Sequence, residues 1–423
     1  MILIKNGNIV LENTIEEMDL FISDKKIVKI GKSLPDKDCI IINAKGRYVL
    51  PGLIDMNCTL KDPGYEHKED IESLSLSAVA GGYTTICCVP ITRPVVDNKV
   101  VVEYVMNKIK SESTVDVKLY GIATKDGEEE KFSEISEMHK AGVIGICDGN
   151  KSIMNTYLFN NFLRYCEMFH LPIITFCEDE TLKHDGLLHD GTTAVFNGLQ
   201  GIPRESEEII VARNLILGRD KDLNMHFTKI SSKNSLNLIK FAKTEERKIT
   251  CDCTIHHLFF TEDDVAGFKT EFKTSPPLRT KEDALALIDG IKKGIIDCIV
   301  SGHNPENIDT KRKEFEKASL GVSSLETSFL AGYNKLVLEN HITMNKLADL
   351  YSKNPSKILN IDNVGEIKEG NIANILIFDP NQDTKMNSEY FYSKAKYSMF
   401  EDMTFKGRIN TTIVNGKVVY KTK

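Results

Sequence analysis

The 423-residue sequence has no CxxC pair, no excess of positive charge and no long uncharged apolar run. Its ten cysteines are scattered, which is typical of reduced core thiols and argues against a disulfide framework. The formal net charge of -7 argues against nucleic acid as a main partner. No run approaches about 18 uncharged apolar residues, and the start shows no cleavable signal pattern. These absences predict an acidic cytoplasmic protein that neither spans a membrane nor binds nucleic acid.

Both ends of the sequence consist of short alternating apolar segments with turn residues between them. Asn6-Gly7 and Asn415-Gly416 each lie between two apolar runs, and Asn-Gly in that position is a strong hairpin signal. We therefore predict one small β-sandwich domain built from both termini, residues 1–50 and 362–423.

Residues 51–361 follow a different pattern, in which short apolar strands alternate with helical stretches. Counting the run "YVLPGLIDM" as the first gives about eight strands, the number and order expected of a (β/α)8 barrel of the TIM type. A doubly wound open sheet is the alternative, but no Gly-rich phosphate turn follows the first strand. The barrel is the preferred α/β fold.

Several stretches carry a specific resemblance, among them "VLPGLIDMNCTLKDPGYEHKED", "GIPRESEEIIVAR" and "SGHNPE". In these stretches the sequence resembles the dihydroorotase family of the amidohydrolase superfamily, and the similarity covers nearly the whole chain. The resemblance implies a metal-dependent hydrolase that interconverts carbamoyl aspartate and dihydroorotate in pyrimidine biosynthesis. It also implies metal ligands at the carboxyl ends of barrel strands, where loops leave coordination positions open.

Most of the side chains that the family uses as metal ligands and general base are replaced in this sequence, although His226, at the first histidine position of the sixth-strand pattern, is retained. The positions concerned hold Asn57, Thr59, Phe176, Lys229 and Gly302. Amide and hydroxyl groups are poor zinc ligands, and an ammonium repels a divalent cation unless it loses its proton. We therefore expect no catalytic residues, no metal and no cofactor. A site rebuilt around Cys177, Glu178 and Asp179 is a lesser alternative.

The resemblance also implies a substrate pocket, of which the sequence keeps only remnants, at Lys61, Ile91, Asp148, Ser275 and His303. Asp148 is what remains of the carboxylates that the resemblance places after the fourth strand. Lys61 replaces a family arginine and keeps the positive charge but not the planar guanidinium that binds a carboxylate with two hydrogen bonds. Ile91 replaces a family asparagine and has no side-chain hydrogen-bond donor. Ser275 replaces a common asparagine, whereas His303 is retained. We hypothesise that Lys229 and Asp148 pair across the barrel mouth.

Two other groups of polar residues have simpler interpretations. His256 and His257 are adjacent on an expected strand and would face opposite sides, so one ion would hardly bind both. Ser231 and Ser232 lie outside any G-x-S-x-G elbow that would expose a nucleophile. Structural roles are preferred for all four.

The preferred functional hypothesis is a catalytically inactive dihydroorotase-like protein of pyrimidine biosynthesis. By the resemblance, it would be a structural or activating subunit for aspartate carbamoyltransferase, within a homo- or hetero-oligomer. The alternative is an active dihydroorotase or related cyclic amide hydrolase with a remade metal site. A third possibility is a sensor that binds a small molecule in the altered pocket.

Overall fold

The computed structural model describes residues 1–36 and 38–422, and its strands form two large sheets and one small pair. The strands are β1 Ile2–Val10, β2 Ile15–Ser23, β3 Lys26–Gly31, β4 Ile40–Asn43, β5 Tyr48–Pro51, β6 Leu53–Leu60, β7 Tyr83–Pro90, β8 Asp116–Ile122, β9 Gly145–Cys147, β10 Ile173–Phe176, β11 Leu188–His189, β12 Gly201–Ile202, β13 Met225–Thr228, β14 Ile249–Thr254, β15 Cys298–Val300, β16 Ile375–Lys385, β17 Thr404–Val414 and β18 Lys417–Lys421.

Helices connect most of the central strands. They are α1 Ile71–Ala80, α2 Lys99–Glu112, α3 Ile135–Lys140, α4 Thr156–Phe169, α5 Glu180–Lys183, α6 Thr192–Asn197, α7 Glu205–Leu217, α8 Lys233–Lys243, α9 Ile255–Phe259, α10 Lys281–Lys292, α11 Ile308–Lys311, α12 Leu325–Gly332, α13 Met344–Ala348 and α14 Asn354–Ile358. Within the described residues, none of these helices has the length and apolar character needed to cross a membrane.

The central sheet is a nearly closed parallel barrel with the order β15-β14-β13-β10-β9-β8-β7-β6. A parallel bridge joins Cys58 of β6 to His303, three residues beyond the end of β15, and the Thr59 amide donates to the His303 carbonyl at 2.8 Å. Every residue of β6 and β7 is buried, as expected for parallel strands covered on both faces. The predicted TIM-type barrel is confirmed.

The second large sheet combines strands from both ends of the chain. Its order is β18-β17-β16-β5-β1-β2-β3, and β4 pairs with β1. Its apolar face includes Ile4, Leu20, Val49 and Ile377. The strand-rich unit from both termini is therefore present as one hydrogen-bonded sheet, while the domain limits 1–50, 51–361 and 362–423 stay a prediction.

The two Asn-Gly pairs have different structures. Asn415 and Gly416 have φ values of 50° and 72° and connect β17 to β18, so that hairpin is confirmed. Asn6-Gly7 instead forms a bulge inside β1, and its prediction as a turn is wrong. The Asn6 amide donates to the Asp19 carboxylate at 2.9 Å. Because this side chain satisfies the irregular backbone, the strand continues through the pair.

Candidate active site at the barrel mouth

A cavity of about 180 Å³ lies where the carboxyl ends of the barrel strands meet. This edge of a (β/α)8 barrel is where its loops place functional side chains. The cavity is lined by Asn57, Thr59, Asn150, Lys151, Lys183, Lys229, Thr274, Ser275, Gly302, Asn304, Leu320, Gly321 and Val322. Four of the five replaced family positions therefore face one cavity, and the fifth, Phe176, lies directly beside it.

A chain of hydrogen bonds fixes the polar groups below this cavity. Asn57 Nδ2 donates to Thr228 Oγ1 at 2.9 Å, and Thr228 Oγ1 donates to Asp252 Oδ2 at 2.8 Å. His226 Nε2 lies 2.8 Å from the same Asp252 oxygen. All four side chains are buried. The amide nitrogen of Asn57 is thus fixed by Thr228, which sets the orientation of this side chain in the cavity wall.

Lys229 follows β13 with a left-handed backbone conformation, at φ 57°. Its Nζ donates to the Ser275 carbonyl at 3.3 Å and lies 4.3 Å from the centre of the Phe176 ring. Burial lowers the pKa of Lys229 to about 8, although the carboxylates of Glu178 and Asp252 act in the opposite direction. A mainly protonated ammonium therefore contributes to the cavity wall at neutral pH.

Asp148 does not pair with Lys229, and that hypothesis is wrong. Asp148 Oδ1 accepts from the Phe176 amide and Oδ2 from Thr175 Oγ1, each at 2.9 Å. No ion pair joins Asp148 to Lys229 within residues 1–36 and 38–422. Burial raises the pKa of Asp148 to about 7. Two donors of β10, the Phe176 amide and the Thr175 hydroxyl, therefore determine where this carboxyl group points.

Gly302 occupies the position of the family's aspartate in a conformation that leaves no room for a side chain. Its φ is 63°, and an added Cβ would lie 2.9 Å from Thr254 Cγ2 and 3.3 Å from His256 Cε1. An L-residue at this position would be strained as well as crowded.

The positions that would hold the substrate in the family have separate environments. Lys61 is buried, its Nζ lies 3.2 Å from Glu306 Oε1, and burial lowers its pKa. His303 is fully buried, and its Nδ1 accepts from the Ser324 amide at 3.1 Å. Ile91 is half-buried against the barrel interior. Of the five positions, the structure places Ser275 in the cavity wall, beside Lys229.

The two adjacent histidines lie on α9, because β14 ends at Thr254. Their rings pack against each other with centroids 4.8 Å apart, so the expectation of opposite faces is wrong. His257 Nδ1 lies 2.6 Å from Thr254 Oγ1, and its Nε2 lies 3.2 Å from the Pro277 carbonyl. Burial lowers the pKa of His257 to about 3. A structural role for this pair agrees with these contacts.

Two polar residues near the mouth were not identified from the sequence. Asp252 links the hydrogen-bond chain described above, and its only sequence signal is an acidic residue inside the apolar strand "ITCDCT". Lys183 is ion-paired with the buried Glu178, one of whose carboxylate oxygens has no hydrogen-bond partner within the described residues. Neither pairing follows from sequence spacing.

The donor groups at the mouth do not fit the family's metal. An amide engaged with Thr228, a hydroxyl, a phenyl ring, an ammonium and a glycine stand at the five positions. Across residues 1–36 and 38–422, no group of three or more His, Cys, Asp or Glu side chains is arranged to hold a metal ion.

Comparison with known proteins places this barrel in a family. Residues 46–235 match the family model described as dihydro-orotase-like, and residues 204–419 match the amidohydrolase family. The dihydroorotase of Caldicellulosiruptor saccharolyticus is 41% identical over 100% of this chain and 99% of its own length. The chain belongs to the dihydroorotase family of amidohydrolases. The dihydroorotase of Acetivibrio thermocellus is 39% identical over the same shares of the two chains.

Solved structures show the same architecture. The L-hydantoinase (dihydropyrimidinase) of Arthrobacter aurescens has a TM-score of 0.89 at 25% identity, covering 99% of this chain and 96% of that protein. Dihydropyrimidinase of Brevibacillus agri has a TM-score of 0.85 at 20% identity, covering 99% and 95%, and shows the fold alone.

These comparisons correct two expectations. The prediction that the protein uses no cofactor is wrong. Relatives that match the chain over its full length are named dihydroorotase, and dihydroorotases of the amidohydrolase family are normally metal-dependent. The prediction of an inactive protein receives no support from relatives named dihydroorotase. The family and a role in pyrimidine biosynthesis are supported. The comparisons do not support the more specific expectation that this chain resembles the non-catalytic subunit that partners aspartate carbamoyltransferase.

Proposed function

We propose that the protein is a dihydroorotase, or a related cyclic amide hydrolase, whose barrel mouth has been remade. The observation that carries this proposal is the end-to-end identity of 41% with a protein named dihydroorotase. Similarity of that extent covers the barrel, the terminal sheet and the loops of the mouth together. The cavity is also small enough to match a compact heterocycle and not a polymer.

The chemistry of the proposed reaction can be assigned to side chains of this mouth only in part. Opening a dihydroorotate ring adds water to the amide carbonyl, breaks the C–N bond and transfers a proton to the leaving nitrogen. The Lys229 ammonium lines the cavity and is placed to donate a hydrogen bond to the oxyanion that develops on the carbonyl. Its fixed contact with the Ser275 carbonyl orients this donor before substrate binds.

The test is an assay of dihydroorotate turnover by the purified chain. Metal content is determined on the same sample, and the assay is repeated once with added zinc and once with a chelator. We expect turnover, and we expect Lys229→Met to lower kcat/KM by about 10²-fold or more, as for loss of one oxyanion donor. Lys240→Met is the control, since Lys240 is an exposed lysine of α8 that lies outside the cavity lining. Absence of turnover in both metal-loaded and metal-free samples would contradict the proposal.

One specific observation favours a second candidate function. The five replaced positions, together with the crowding around Gly302, leave the family's reaction without the side chains that normally support it. This supports a non-catalytic protein, and the resemblance suggests its role, a subunit that binds and stabilises or activates aspartate carbamoyltransferase. Co-purification with that transferase, and a change in its activity on adding this chain, would favour the second candidate. Turnover of dihydroorotate by the chain alone would exclude it.

A further inference from the structure

A second and larger cleft lies beside the barrel mouth, with a volume of about 440 Å³. Three segments form it: residues 269–272, α11 with Arg312, and residues 396–401 together with Ser388. Volumes of this size are typical of sites for small ligands. The proposed hydrolase chemistry does not use any of these segments.

The charge of this cleft is opposite to that of the whole protein. Four cationic side chains and two carboxylates line it, which leaves an excess of two positive charges in a protein whose net charge is -7. The cations are Lys269, Lys311, Arg312 and Lys396. Glu401 is already engaged, since its carboxylate accepts from the Ser388 amide at 3.1 and 3.2 Å. The cleft therefore favours an anion.

The exposed cations form the rim, and a buried one forms the floor. Lys269, Arg312 and Lys396 are exposed, whereas Lys311 is 1% exposed. Lys311 Nζ lies 5.1 Å from the centre of the Tyr397 ring. An anion in the cleft would meet the planar guanidinium of Arg312, which suits the oxygens of a phosphate group, and the fixed charge of Lys311 below it.

The floor of the cleft is connected to the barrel mouth. Lys311 Nζ donates to the carbonyls of Ser319 and Gly321, each at 3.0 Å, and Gly321 lines the mouth cavity. The hydroxyl of Tyr397 accepts from the Glu306 amide at 3.1 Å, and the Glu306 carboxylate pairs with Lys61. One contact thus runs from this cleft to the lining of the mouth cavity, at Gly321, and a second runs to the buried pair Glu306 and Lys61.

We propose that this cleft binds a phosphate group, carried by a small phosphate ester or present as free phosphate, and that binding further stabilises the loop 312–321 beside the mouth. The inference does not depend on which reaction the barrel performs. The cations at the rim supply charged hydrogen-bond donors, and the rings of Phe272 and Tyr397 supply apolar surface for an ester. Lys311 connects the cleft to the loop, because its ammonium donates to the Gly321 carbonyl.

The first experiment titrates the full chain with inorganic phosphate and with phenyl phosphate by calorimetry at constant ionic strength. We expect saturable binding that Arg312→Met weakens by about tenfold or more, the amount expected for one charge-assisted contact. Lys313→Met is the matched control, because Lys313 is an exposed neighbour outside the cleft lining, and it should change affinity less than about twofold. Tighter binding of phenyl phosphate would identify an ester as the ligand, and equal affinities would identify free phosphate.

Two results would overturn the site: no saturable binding of either anion, or equal weakening by both substitutions, which would indicate general surface attraction. The second experiment measures amide hydrogen exchange with and without phosphate. Slower exchange in residues 312–321 is expected, whereas unchanged exchange would overturn the connection to the loop. Neither phosphate binding nor hydrogen exchange depends on hydrolase activity. Both experiments therefore test the cleft even if the protein does not turn over dihydroorotate.

Discussion

Single side chains at and below the mouth take their positions from nearby hydrogen-bond partners, some of them backbone groups and some of them other side chains. Asp148 illustrates this most clearly, because two donors from β10 hold its carboxylate while burial raises its pKa to about 7. A folded-state pKa above the unfolded value of 3.8 means that the native protein binds this proton more tightly than the unfolded chain does. Asp148 therefore contributes stability at low pH that is lost as the pH rises from about 4 to about 7.

Asp148→Asn should remove this pH dependence, because the amide is neutral at every pH and similar in shape. We expect the melting temperature of the wild type, relative to that of Asp148→Asn, to rise as the pH is lowered from 7.5 to about 5. Thermal unfolding of both proteins across that range is the measurement. A difference in melting temperature that stays constant with pH would show that Asp148 titrates normally in the folded protein.

At the scale of elements, the sequence pattern predicts the barrel well but its loops poorly. Alternating apolar runs and helical segments identify the barrel strands, because burial on both faces leaves a clear apolar signature. The bulge at Asn6-Gly7 is not predictable from the pair itself, since it depends on Asp19 from the next strand. The resemblance located the five replaced positions, yet contacts such as Lys229 to Ser275 join distant segments that only the fold brings together.

The loop 312–321 shows how an element without regular structure is held by buried charge. Lys273 Nζ donates to the carbonyls of Phe315, Glu316 and Ala318, and Lys311 Nζ to those of Ser319 and Gly321. The chain is thus wrapped around two ammonium groups that satisfy carbonyls otherwise left without partners.

Lys311→Met keeps an unbranched side chain, one atom shorter, but removes the donors for this loop. We expect a loss of roughly 3 kcal/mol in unfolding free energy, since buried carbonyls lose charged partners. Cleavage within residues 312–319 by trypsin should also become faster. Lys313→Met is the control and should leave stability unchanged within about 0.5 kcal/mol, as for an exposed site. Cleavage at the wild-type rate in Lys311→Met would show that Lys273 alone holds the loop.

At the scale of the whole molecule, the terminal sheet ties the two ends of the chain to each other and to the barrel. β16 lies between β5 and β17, so a strand from the N-terminal part is paired directly with the C-terminal part. Thr412 Oγ1 on β17 donates to the Val79 carbonyl of α1 at 2.7 Å, which fixes this sheet against the barrel. β17 is buried over its second half, whereas β18 is an edge strand with exposed and half-buried residues.

Removing successive strands from the C-terminus should therefore have very unequal effects. A chain ending at Gly416 loses only the edge strand β18 and should fold with a modest decrease in melting temperature. A chain ending at Met403 also loses Ile409, Ile413 and Val414 from the buried part of the sheet, and the Thr412 contact to α1. Burial of each large apolar side chain contributes about 1.5–3 kcal/mol, so this loss approaches the whole stability of a domain. We expect the longer truncation to yield no cooperatively folded protein in thermal unfolding. A cooperative transition in that chain would mean that the barrel is stable without its terminal sheet.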